Sequence, residues 1–282
     1  MMHNYHIRAM TRQELDQVIG WAAAEGWNPG VNDADCFYAA DPQGFLIGLL
    51  NDEPIAAISA IKYGASFGFI GLYLVKPEYR GKGFGIQIWN AALESLAGRV
   101  IGLDGVVEQQ DNYRKSGFGM AHKNARYQGI GNGAFENDAE IVPVSSLPFN
   151  AVFEYDKHYF PDERSEFLSQ WVKQPDSVAL GILQNCSLAG YGVLRPCNVG
   201  YKIGPLFADT PQLAERLFHA LRAHVPAGAP FFLDAPLVNQ EAVDLARRHQ
   251  MDIVFETARM YKGANPALPL ERIFGVTTFE LG

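Results

Sequence analysis

The stretch richest in chemistry runs Leu72-Tyr73-Leu74-Val75-Lys76-Pro77-Glu78-Tyr79-Arg80-Gly81-Lys82-Gly83-Phe84-Gly85-Ile86. An apolar run enters a loop carrying Gly81, Gly83 and Gly85. A helix-periodic stretch with Ile86, Ile88, Trp89, Ala92 and Leu93 follows directly. Glycine admits backbone conformations barred to other residues and lets the main chain approach a ligand closely. The first N–H groups of a helix have no partner within it and carry a partial positive charge. A pyrophosphate is the expected guest at such a helix start. Arg80 and Lys82 add full charges beside it.

Two familiar phosphate loops fit poorly. The G-x-x-x-x-G-K-[ST] pattern is absent. The dinucleotide pattern G-x-G-x-x-G meets Ile88 at its third glycine. Asp104 stands near the spacing of a ribose-binding acid, so spacing alone leaves a nucleotide-binding oxidoreductase open. The preceding hairpins weigh against it, because that fold opens with its glycine loop after the first strand.

The surrounding elements follow from periodicity and turn chemistry. Tyr5 to Met10 reads as a strand. Thr11-Arg12-Gln13-Glu14 is a capping-box pattern opening a helix. Phe45–Leu50, Ile55–Tyr63 and Phe67–Val75 read as strands joined by hairpin turns. After the glycine loop and its helix come a strand at Val100–Val107, a short helix at Asn112–Ser116 and a strand at Ala121–Gly129. The second half repeats the order: a helix from Phe160 to Trp171, and strands at Ser177–Gln184, Ser187–Leu194 and Gly200–Ala208. A helix at Leu213–His224, a strand at Phe231–Ala235, a helix at Gln240–His249 and a strand at Ile253–Tyr261 complete it. Leu103-Asp104 is matched by Leu233-Asp234, and Tyr127-Gln128-Gly129 by Tyr261-Lys262-Gly263. A diverged duplication is expected, with domains at 1–130 and 145–282 and a linker at 131–144.

Composition narrows the function classes. The chain has 282 residues, 48% hydrophobic and 19% charged, which suits a packed globular protein of two domains. A net charge of -8 with no basic block argues against nucleic acid. Cys36, Cys186 and Cys197 are too few and too far apart for a disulfide framework or a zinc site, so no metal is expected. The start of the chain lacks a signal-peptide pattern, and no apolar run is long enough to span a bilayer. A cytoplasmic protein without membrane partners is expected; oligomeric state is left open.

Arg80-Gly81-Lys82-Gly83-Phe84-Gly85 resembles the R/Q-x-x-G-x-G/A signature of the GNAT (Gcn5-related N-acetyltransferase) superfamily. Tyr113-Arg114-Lys115-Ser116-Gly117-Phe118 resembles the end of that family's second motif. The resemblance implies an α/β (α+β) fold of two tandem GNAT-like domains, each a mixed, mostly antiparallel sheet flanked by helices. It implies acetyl-CoA as co-substrate, with the pyrophosphate on Arg80, Gly81, Lys82, Gly83, Phe84, Gly85 and Ile86. The pantetheine would lie along the backbone of Leu74 and Val75. Tyr113 would protonate the leaving thiolate, as a phenol can. The strand before the loop, Phe67–Val75, lacks the glutamate some relatives use as base. Asp104 and Glu108 are the remaining candidates. The asparagine common to the second motif is replaced by Val106.

The same ruler laid on the second half finds Asn239, Ala242 and Leu245 in the family spacing, but Ala246 in the tyrosine place. Gly204-Pro205-Leu206-Phe207-Ala208-Asp209-Thr210 offers neither a glycine cluster nor a base. A second domain without a cofactor site is expected. The early loop would frame the acceptor: Trp27, Asn28, Asp33, Asp35 and Tyr38 suit a cationic amine, either a small molecule or a protein lysine. Tyr155, Asp156, His158 and Tyr159 would close the pocket from the second half. An acyl-CoA sensor without turnover is the competing class.

Overall fold

The computed structural model describes residues 4–133 and 138–282; part of the 131–144 linker lies outside the described residues. The first half runs β1 (Tyr5–Ala9), α1 (Arg12–Ala24), α2 (Asp33–Ala40), β2 (Phe45–Leu50), β3 (Glu53–Tyr63), β4 (Phe67–Val75), α3 (Phe84–Ser95), β5 (Val100–Val106), α4 (Gln110–Lys115) and β6 (Gly119–Ile130). The second runs β7 (Ile141–Pro143), α5 (Phe149–Asp156), α6 (Ser165–Trp171), β8 (Val178–Gln184), β9 (Ser187–Pro196), β10 (Tyr201–Ala208), α7 (Pro211–Arg222), β11 (Pro230–Pro236), α8 (Gln240–Arg248), β12 (Asp252–Lys262) and β13 (Ile273–Gly275). The fold is mixed α/β, mostly antiparallel, with helices on its faces.

Local chemistry sets the register. Thr11 caps α1, and Glu14 reaches back to the Thr11 N–H, completing the capping box. Asn51 and Asp52 both take positive φ (50° and 66°) between β2 and β3. Asn185 and Cys186 do the same (49° and 63°) between β8 and β9. Two left-handed residues in a row make the tight turn that matches strand twist. The repeat of that device in both halves is a signature of duplication.

The halves do not sit side by side. Among the described residues the strands form one sheet in the order β1-β2-β3-β4-β5-β12-β6-β11-β10-β9-β8-β7. β12, late in the second half, pairs with β5; β6, the last strand of the first half, pairs with β11. Each half thus supplies the strand that completes the other. Two buried ion pairs fasten the exchange in equivalent places. Arg259 of β12 reaches Asp104 of β5 (2.9 and 2.7 Å), and Arg126 of β6 reaches Asp234 of β11 (2.6 and 2.7 Å).

Some elements depart from the sequence reading. The helix expected from Phe160 starts at Ser165, because Pro161 and a bidentate pair between Arg164 and Asp156 hold the intervening turn. Helix α2 lies in the segment expected as the early loop, and α5 in a segment for which no element is expected; each has eight residues, too short to show a clear period. β7 lies within the segment read as linker. No helix among the described residues is long and apolar enough to cross a membrane.

Candidate active site

β4 and β5 pair in parallel only where Phe67–Ile70 face Val100–Leu103. Beyond that point β4 stays with β3, and β5 stays with β12. The two strands part like the arms of a V. Leu72 sits at φ 44°, and the register against β3 slips between Ala57 and Ser59. A left-handed non-glycine residue inside a strand costs about 1–2 kcal/mol, so the bulge is a feature the surroundings enforce. From Gly71 onward the edge of β4 facing β5 has no ladder partner, which leaves backbone groups for a ligand amide. A cavity of about 690 Å³ fills the V.

At one end lies the glycine loop. Gly81 and Gly83 take φ 74° and 84°, and a Cβ on either would meet nothing within 4 Å. These glycines are therefore required by conformation. Gly85 is required by packing: a Cβ there would stand 2.7 Å from the Tyr73 hydroxyl. Gly83 is the N-cap of α3 and offers no side-chain acceptor, so the first amides of the helix are left to a guest. Arg80 donates to the Val75 carbonyl (2.8 Å) and pairs with Glu25, which also lines the cavity. Lys82 lies with its ammonium 5.5 Å from the Tyr79 ring centre, outside the cavity wall. Replacing Arg80 and Lys82 together by Ala is expected to raise the acetyl-CoA dissociation constant about tenfold to a hundredfold, the worth of one or two charge-assisted contacts. Titrations at low and high salt should also show a flatter salt response. An unchanged constant would remove the loop from phosphate binding.

Tyr113 projects from α4 into the V. Its ring packs on Gly105, where a Cβ would come within 2.7 Å, and lies 5.4 Å from the Trp89 ring. Burial, helped by the neighbouring Tyr73 phenol, pushes its pKa up. The hydroxyl therefore keeps its proton, as a donor to a thiolate requires. Leu74, Val75, Ile86, Trp27, Asp104 and Glu108 also line the cavity; Phe84 does not, and packs on Tyr5 instead (4.9 Å).

Asp104 is placed beside the chemistry but is already engaged. It accepts from Arg259 on both oxygens and from the Asn124 amide (2.8 Å). Burial pushes its carboxyl up against the pull of Arg259. Glu108 is exposed at the rim.

Four residues expected in the acceptor pocket lie elsewhere. Asp33 is buried, accepting from Arg195 (2.8 Å) and from the Gly30 N–H (2.8 Å). Asp35 pairs with Arg12 on the surface. Asn28 exchanges hydrogen bonds with the Val199 backbone across the two halves. Tyr38 packs toward Phe45 in the core. The α2 helix carries Asp33, Asp35 and Tyr38 away from the V. Asp156 is locked to Arg164, and Tyr155 and Tyr159 donate to Asp209, so that group does not close the cavity either.

Another part of the cavity wall comes from residues the sequence did not single out: Arg126, Phe255, Thr257, Phe279 and Glu280. Strand exchange brings the first three, and segment 276–282 brings the others. Arg126 is held by Asp234 and by the Trp27 carbonyl (2.7 Å) and faces the rings of Phe255 and Phe279 (5.6 and 5.2 Å).

The matching V of the second half is filled. β10 and β11 pair in parallel only over Tyr201–Ile203 and Phe231–Leu233. Past that point β13 adds to β10, and the Val276 N–H donates to the Asp234 carbonyl (2.8 Å). The start of α7 is closed too, capped by the Thr210 side chain and led by Pro211. Elsewhere, Glu215, His219 and His249 bring ligand atoms within 4.8 Å of one another. Arg248 donates to Glu215 (2.7 Å), and the Arg222 guanidinium stands 3.4 Å from His249 Nδ1. Two guanidiniums make this an ion-pair network, unfavourable to a dication.

Comparison with known proteins agrees with this geometry. Residues 8–118 match the model of the acetyltransferase (GNAT) family, and residues 152–275 match that of an acetyltransferase (GNAT) domain. A holothin acyltransferase from Pseudoalteromonas sp. is 30% identical over 270 residues, covering 96% of this chain and 92% of its own. A putative acetyltransferase structure from Pyrococcus horikoshii superposes with a TM-score of 0.82 at 24% identity, over 99% of this chain and 96% of the other. A tandem GNAT protein from the clavulanic acid biosynthesis pathway gives 0.64 at 12% identity, over 94% and 100%. The nucleotide-binding oxidoreductase reading is thereby set aside: the chain belongs to the GNAT superfamily, as a tandem-domain acyltransferase.

Proposed function

We propose that the chain moves the acetyl group of acetyl-CoA onto a primary amine by direct attack within a ternary complex. The observation that carries this reading is a single continuous cavity joining the uncapped glycine start of α3, the unpaired edge of β4 and the Tyr113 hydroxyl. A pyrophosphate on the α3 amides would lead the pantetheine along Leu74 and Val75. The thioester would then reach the fork of the V, with its sulfur toward Tyr113. Holding both reactants there supplies most of the acceleration. The holothin acyltransferase relative supports acyl transfer, and the Phe255 and Phe279 rings on the cavity wall suit an amine with an apolar skeleton.

We also read the first half as the only one that works. The second V is occupied by β13, and its helix start is already capped. Calorimetric titration is expected to count one acetyl-CoA per chain and none in Gly83→Val, since a β-branched residue does not tolerate φ 84°. Release of free thiol from acetyl-CoA with a primary-amine panel, with the acetylated product weighed by mass spectrometry, tests the reaction itself. Binding without turnover of any amine would favour a sensor; two equivalents per chain would overturn the one-site reading.

A further inference from the structure

An amine at neutral pH arrives protonated and must lose a proton before it attacks. The acids on the cavity are not equally placed to take it. Asp104 is saturated by Arg259 and Asn124. Glu25 is paired with Arg80, and Glu108 is exposed at the rim. Glu280 is different: it is 4% exposed and lines the cavity, and among the described residues it forms no ion pair. Its carboxylate accepts a hydrogen bond from the Thr278 hydroxyl, whose oxygen in turn accepts from the Glu280 N–H (3.2 Å). Its position is fixed at the fork. The Glu280 carbonyl lies so close over Gly71 that a Cβ there would collide with it. Gly71 is the first residue of β4 after the parallel pairing ends. Thr257 lines the same cavity and is 2% exposed, and its buried hydroxyl has no hydrogen-bond partner. The charged groups within electrostatic reach of Glu280 are the buried Arg126, Arg195 and Lys202 and the Asp104 carboxyl, and among the described residues none of the three cations forms an ion pair with it. A buried carboxylate without a direct ion-pair partner and a buried hydroxyl without a hydrogen-bond partner are both completed by a ligand that donates to them.

We propose that Glu280 receives the acceptor's ammonium and takes its proton, with Thr257 hydrogen-bonding the same nitrogen and Phe255 and Phe279 covering its carbon skeleton. This rests on the primary-amine reading given above. The first N–H bond breaks with its proton passing to the Glu280 carboxylate. The freed lone pair forms the C–N bond at the thioester carbonyl. The C–S bond then breaks, and the thiolate takes the Tyr113 proton. The second amine proton, lost as the adduct becomes an amide, returns to the Tyr113 oxygen. Glu280 gives its proton to water, so one proton is released per turnover.

The test uses the full chain, acetyl-CoA and the fastest substrate among phenethylamine, tyramine, putrescine and lysine methyl ester. Glu280→Gln keeps an acceptor for Thr278 but is not a base. At pH 7 its kcat/KM is expected to fall about 10²- to 10³-fold, the usual worth of a general base. The acetyl-CoA dissociation constant should stay within about twofold of the parent, because Glu280 does not reach the phosphate loop. The decisive readout is the pH profile. The variant must draw on free amine from solution, so its rate should climb about tenfold per pH unit toward the amine pKa near 10 and close most of the gap. Glu280→Asp should keep the parent's profile at a lower rate, which also guards against a misfolded glutamine variant. A Glu280→Gln rate equal to the parent's, or a defect of constant size from pH 7 to 10, would overturn the assignment. A parent enzyme that acetylates none of the four amines would overturn the amine reading on which it rests.

Discussion

Replacing Arg259 with Met is expected to cost the fold about 3–5 kcal/mol, the usual price of stranding one member of a buried ion pair. Asp104 would be left with a fully buried carboxylate and only the Asn124 amide to answer it. The guanidinium also lies 5.1 Å from the centre of the Phe69 ring, so its packing is lost with its charge. In a chain of this length the loss corresponds to a drop in melting temperature on the order of 10 °C. Scanning calorimetry would read it directly. Asp104→Asn combined with Arg259→Met removes the stranded charge and should recover more than half of the loss, giving a large coupling in the double-mutant cycle. Near-additive losses, or a single-variant loss below about 1 kcal/mol, would mean that strand pairing alone holds the exchange.

The second large effect is on chemistry. Tyr113→Phe should lower kcat by about 10²-fold, roughly 2.7 kcal/mol of barrier, with the acetyl-CoA dissociation constant near that of the parent. The ring still packs on Gly105 and Trp89, so the change isolates the proton. The leaving group provides the control. With a thioester whose thiol is already acidic, the thiolate departs without help and the gap should narrow sharply. The pH profile supplies a second control. The active phenol is the protonated one, and its pKa is raised, so loss of activity through its ionisation falls above the ordinary phenol value near 10. A Tyr113→Phe enzyme with unchanged turnover would take the residue out of the mechanism.

The donor side of the site was legible because it is written locally. Strand, glycine loop and helix are contiguous from Leu72 to Ile86, and Gly81 and Gly83 take the left-handed conformations that their identity suggests. Tyr113 was reachable through its own short motif. The acceptor side was not, because it is assembled over long distances. Asp33 and Arg195 are 162 positions apart, so nothing near Asp33 announces that it will be buried in an ion pair. Thr257 and Phe255 reach the cavity only because β12 crosses into the first half's sheet. Periodicity names a strand but does not name its neighbour. One signal was available: Ala125-Arg126 and Ala258-Arg259 repeat a base within apolar strands, and Asp104 and Asp234 repeat an acid. Charges recurring at matching places inside buried strands imply that they meet each other.

The traded strands also govern how such a protein comes into being. While it is being synthesised, the first 130 residues hold two exposed rims, along β5 and β6, whose natural partners are still unmade. Unsatisfied rims of this kind invite pairing with other chains. A fragment cut at the familiar family boundary would therefore be sticky and incomplete, however well its own glycine loop had formed. Maturation has to wait for contacts more than a hundred residues distant, which makes assembly slow and all-or-nothing. The two halves stand as a single unit, because neither carries a whole sheet of its own.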